Sequence, residues 1–97
     1  MKLLTKEIVS KLPALYSQEN NSDPIVQVRF FSIVSNWEWL AYEFDGEDTF
    51  FGLVKGFENE LGYFSLSELE SLTAMNGKLP LIERDRYFTP KPLSELR

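Results

Sequence analysis

The chain has 97 residues, 43% of them apolar and 14% aromatic, and a formal net charge of −5. That is enough apolar material for one packed core and too little chain for two, so residues 1–97 are expected to form a single domain rather than a disordered segment. With no cysteine and no histidine, it lacks disulfides, thiolate chemistry, imidazole general bases and every triad built on imidazole.

The first expected element is a short helix. Thr5 is placed as N-cap of the run to Leu12, and Leu4, Ile8 and Leu12 fall on one face. Pro13 ends it. The polar stretch from Tyr16 to Pro24 reads as an exposed loop.

Strands follow. Ile25–Val34 is β-branched and aromatic, with Val26, Val28, Phe30 and Ser32 expected on one side. Trp37–Phe44 forms a second strand, Asp45-Gly46 a tight turn, Thr49–Phe57 a third strand and Glu60–Phe64 a fourth. Gly52, Gly56 and Gly62 mark bulges or close backbone approach. Connections this short imply an antiparallel meander.

Ser65 and Glu68 form a capping-box pattern ahead of Leu66, Leu69, Leu72 and Met75, so a second helix is expected to run to Asn76-Gly77 and lay a leucine face on the sheet. Leu79–Phe88 reads as extended, and Pro92 opens a short terminal helix. The expected fold class is α+β: an antiparallel β-meander of about four strands with an N-terminal helix and a second helix packed on the sheet.

Charge is unevenly distributed. From Trp37 to Glu70 there are nine acidic residues and one basic residue, Lys55. An anionic middle repels phosphate backbones, which disfavours direct nucleic-acid binding and favours a basic protein partner or imitation of nucleic acid. The densest part is Glu43, Asp45, Glu47 and Asp48, four carboxylates in six residues. Two chemistries suit them: pairing with basic side chains of a partner, or, through Asp45, Glu47 and Asp48, holding a hard divalent cation in a small hydrolase or nuclease. The plain alternative is a solvated hairpin turn. The turn has neither the length nor the flanking helices of a twelve-residue calcium loop.

Trp37 and Trp39 share a strand face. They fit either a binding surface or the core. Phe50 and Phe51 point to opposite sides of the sheet; one is expected in the core, and the other, if left open with Tyr42 or Trp39 nearby, would make an apolar patch. Arg29, Arg84 and Arg86 with Trp37 make a weaker nucleic-acid reading. Glu83-Arg84-Asp85-Arg86 reads equally as cross-strand pairing at a sheet edge. No phosphate-binding glycine loop, dinucleotide fingerprint or nucleophile elbow occurs, so no cofactor is expected. No apolar run reaches the roughly 20 residues of a membrane helix, and the N-terminus has no signal-peptide pattern. Together with the lack of cysteine, this gives a cytoplasmic expectation.

Several blocks carry a resemblance. They are Lys2–Ile8 with Lys11-Leu12-Pro13, Asn36-Trp37-x-Trp39, Glu43–Val54, Glu60–Glu70, Ile82–Asp85 and Phe88-x-Pro90. In these the chain resembles a bacterial domain-of-unknown-function family of small stand-alone proteins. Its members are encoded on plasmids and on conjugative or integrative elements, some near antirestriction-type genes. The resemblance implies a genomic setting; it brings no catalytic or binding residues with it.

Overall fold

A computed structural model describes residues 2–97. Its centre is a five-stranded antiparallel sheet in the order β5-β4-β3-β2-β8, with β2 at Val28–Ser32, β3 at Glu38–Phe44, β4 at Thr49–Lys55, β5 at Asn59–Ser65 and β8 at Ile82–Arg84. Strands β2 to β5 are the expected meander. The tail adds a fifth strand along the outer edge of β2, pairing Phe30 with Arg84 and Ser32 with Ile82.

The expected single strand over Ile25–Val34 is divided. β1, Ile25–Val26, leaves the main sheet and pairs with β9, Lys91–Pro92. The break at Gln27 reverses the facing of the residue before it. Val26 therefore packs with Leu40, Tyr42, Leu53 and Leu93 on one face of the sheet. Val28 and Phe30 pack on the other with Trp39, Phe44, Phe50 and Phe64. Strict alternation had placed all of Val26, Val28 and Phe30 together.

Both helices lie on the Phe30 face. α1, Lys6–Lys11, begins where expected, with the Thr5 hydroxyl accepting the Ile8 N–H at 3.3 Å. Leu4, Ile8, Val9 and Leu12 pack against the core. α2, Leu66–Ser71, starts at Ser65, whose hydroxyl accepts the Glu68 N–H at 2.9 Å. It is shorter than the leucine spacing implied. Leu69 is buried, but Leu72 and Met75 are exposed. After Ser71 the chain enters a small hairpin of β6, Thr73–Ala74, and β7, Leu79–Pro80. Met75, Asn76 and Gly77 all take positive φ in its turn. Asn-Gly thus serves a hairpin here rather than a helix end, as its left-handed preference equally allows. The terminal helix is a single 3-10 turn, Leu93–Glu95, with Pro92 just before it.

The opposite face is covered only in part. Phe88, Leu93 and Leu96 from the C-terminal segment cover its β1–β3 side. Toward β4 and β5 it stays open: Leu61 is 41% exposed and Tyr63 56%.

Candidate functional site

The acidic turn is built from the inside. Asp45 Oδ1 accepts three backbone N–H groups, from Glu47 at 2.8 Å, Asp48 at 2.8 Å and Thr49 at 3.0 Å. These bonds hold its carboxyl below the usual carboxylate range. Asp48 turns toward α2 and accepts the Ser67 N–H at 2.8 Å and the Ser67 hydroxyl at 2.9 Å. A carboxylate there satisfies an orphan donor of the first helical turn. Glu47 is exposed beside α1, in a shallow hollow with Thr5, Lys6 and Val9.

Glu43 goes the other way. It pairs with Phe51 across β3–β4, which puts it on the open face, and it is only 3% exposed. Its two oxygens accept the N–H groups of Tyr16 at 2.9 Å and Gln18 at 2.8 Å. A β-bulge between Ala41 and Glu43 sets this direction. The four carboxylates therefore do not converge, and among the described residues no three acidic side chains form a group able to hold a metal ion.

The two tryptophans are mainly structural. Trp39 is 8% exposed, within the core. Trp37 lies half-buried at 5.9 Å from Trp39 and 5.3 Å from the almost fully exposed Phe57. It covers Gly56, where a Cβ would come within 2.5 Å of its ring. Of Arg29, Arg84 and Arg86, the first two are engaged. Arg29 bonds Glu38 at 2.7 Å and Asp85 at 3.1 Å and stacks on Phe31. Arg84 donates to the Lys2 carbonyl at 2.7 Å.

What the structure assembles instead is an aromatic cleft on the open face, about 300 Å³ in volume. Four rings run across it in edge-to-face contact. Tyr42 meets Phe51 at 5.6 Å, Phe51 meets Tyr63 at 4.8 Å, and Tyr63 meets Tyr16 at 6.5 Å. Three of these rings stand on adjacent strands, and Tyr16 is brought to them by its loop. Glu43 is the anchor of that loop, and Tyr16 sits at φ 69° above it. Charged lining comes from Glu19 and Glu43 against Arg97. Burial, and then the Glu43 charge, push the Tyr42 hydroxyl above its ordinary pKa. Tyr63 is raised by partial loss of water, by the Tyr16 hydroxyl, and by the charges of Tyr16, Glu43 and Glu19. Both phenols stay neutral at physiological pH and present electron-rich faces in a negative field.

Residues 3–96 match the family model described as a protein of unknown function, DUF2958. The chain belongs to this family. No curated protein and no solved structure matches it. The match covers nearly the whole chain, so both helices and the cleft apart from Arg97 lie inside the family's domain. No described helix is long and apolar enough to cross a membrane.

Sequence allows a patch of one Phe of the Phe50-Phe51 pair with Tyr42 or Trp39; the structure makes it Phe51 with Tyr42, because Phe50 and Trp39 are in the core. Sequence carries no sign of Tyr16 or Glu19, whose placement depends on a 27-residue contact between Glu43 and the loop. Tyr63 and Leu61 were legible as strand residues but not as exposed ones.

Proposed function

We propose that this member of the family is a non-catalytic interaction module of a mobile genetic element, acting in the cytoplasm, that binds a basic segment of a protein partner. The observation that carries this reading is the cleft of Tyr16, Phe51 and Tyr63, with Glu19 at its edge, the buried charge of Glu43 behind it and Arg97 in the same lining. Neutral aromatic faces beside carboxylates attract a guanidinium or ammonium group through cation–π and charge attraction. The acidic middle of the chain extends the same field and speeds encounter with a cationic partner. The mobile-element setting rests on the resemblance of the sequence blocks given above.

The carboxylates that support a catalytic or metal reading are already engaged. Asp45 and Asp48 accept backbone N–H groups, and Glu43 holds a loop. Of the four acids only Glu47 accepts no hydrogen bond among the described residues, and it stands on the helical side, away from the cleft. The basic-partner reading therefore moves from the turn to the open face of the sheet.

The test is calorimetric titration with a hexa-arginine peptide at low and physiological salt. Binding should weaken with salt and fall about fivefold or more in Tyr63→Ala, from a cation–π contribution of roughly 1 kcal/mol. Glu19→Gln should weaken it too, and Glu47→Gln should leave it unchanged. Equal binding by Tyr63→Ala with a loss in Glu47→Gln would return the site to the turn.

A further inference from the structure

We infer that the partner segment binds as an added strand along the free edge of β5, with a basic residue placed beside Tyr63. This deepens the proposed function and rests on its reading of the cleft.

β5 ends the sheet, and its outer backbone is unpaired. Two bonds fix which groups point outward. The Leu66 N–H donates to the Asp48 carbonyl, and the Gly56 N–H donates to the Glu58 carbonyl. With Thr49 facing Ser65 and Lys55 facing Asn59, these bonds bracket both end pairs, which are therefore wide, non-hydrogen-bonded pairs. Alternation then gives Phe64, Gly62 and Glu60 the bonds to β4. Leu61 and Tyr63 direct N–H and C=O away from the sheet. Among the described residues, the backbone N–H and C=O of these two residues make no backbone bond outside the sheet. A Cβ added at Gly62, between them, would meet nothing within 4 Å.

Apart from the negative charge of Glu60, this edge lacks the usual protection against strand pairing. β5 is seven residues long, in continuous register with β4, and contains neither proline nor lysine. At the other end of the sheet, β8 has three residues, one of them Arg84.

The geometry also selects side chains. A residue hydrogen-bonded opposite Tyr63 projects onto the same face as Tyr63. Its side chain enters the cleft beside the Tyr63 and Tyr16 rings, near Glu19. In an antiparallel partner, the residue two positions later faces Leu61 and meets an apolar surface. The next one faces Glu60. The segment that fits reads basic–any–apolar–basic. A second copy of this chain is a poorer occupant, because each copy carries −5 and brings Glu58 and Glu60 to the same edge.

The test uses the intact chain and the peptide acetyl-Thr-Lys-Thr-Val-Lys-Thr-amide, beside the same peptide N-methylated at the first lysine. Amide exchange at Leu61 and Tyr63 should slow at least about tenfold when the unmodified peptide saturates the protein. The N-methylated peptide, which lacks one strand hydrogen bond and crowds the edge, should bind about tenfold more weakly or worse. If both peptides bind equally and the two amides exchange as in the free protein, strand addition is overturned while the basic-partner reading stands. If neither binds, both fall. Protection of Leu61 and Tyr63 that grows with protein concentration alone would assign the edge to a second copy and overturn the inference.

Discussion

Replacing Glu43 by glutamine tests how the cleft is held. The carboxylate is buried, and each oxygen accepts one backbone N–H, from Tyr16 and from Gln18. Glutamine has the same size but one acceptor oxygen. It keeps one of the two bonds and turns an amide hydrogen toward the other donor. A hydrogen bond to a charged group contributes about 1.5–3 kcal/mol, and an orphaned buried N–H adds to the loss. The expected destabilisation is therefore about 3 kcal/mol. A small domain has only about 5–15 kcal/mol in all, and at this chain length the loss lowers Tm by roughly 15 °C. Urea unfolding followed by tryptophan fluorescence reads it as a lower midpoint with unchanged slope. Because Tyr16 rides on the same loop, hexa-arginine binding should weaken in parallel. A loss below about 0.5 kcal/mol, with hexa-arginine affinity unchanged, would refute the assignment of Glu43 as the anchor of the loop.

Other outcomes follow from single contacts. Gly52→Ala puts a Cβ onto the Leu40 carbonyl and within 2.8 Å of the Ala41 Cα; backbone cannot yield there, so a loss of about 3 kcal/mol or failure to fold is expected in urea unfolding. Asp48→Ala removes both bonds to Ser67 and should cost about 1–2 kcal/mol by the same assay. Asp45 and Asp23 both titrate below the usual carboxylate range, Asp45 through backbone bonds to residues 47–49 and Asp23 through its bonds to Ser94. Their folded-state values lie below the unfolded ones, so their contribution is present above about pH 4 and is lost as pH falls further. Asp45→Asn should flatten that acid limb in thermal melts from pH 5 to pH 2.

Local chemistry was legible where a residue's own neighbours decide its state. Thr5 and Ser65 cap their helices as their sequence context implied, and Gly52 sits where a strand backbone comes close. The meander followed from short connections. Legibility failed where distant segments decide. Gln27 breaks a run that alternates well, because β1 pairs with β9 some 65 residues later. α2 stops at Ser71 because the chain turns into the β6–β7 hairpin, although Leu72 and Met75 keep the helical spacing. The acidic turn looked like a surface for a partner. Its acids differ by role instead: Glu43 faces inward across a bulge, and Asp45 and Asp48 close backbone gaps. Composition alone cannot separate a carboxylate that binds backbone from one that waits for a ligand.

The central claim is that the open sheet face beside β5, rather than the Asp45–Asp48 turn, receives a basic chain. The most direct measurement is a nitrogen-15 chemical-shift map of the intact protein titrated with hexa-arginine. Shifts concentrated at Tyr16, Glu19, Phe51, Leu61 and Tyr63 are the expected result. Shifts centred on Gly46, Glu47 and Asp48, with Tyr16 and Tyr63 unmoved, would contradict it.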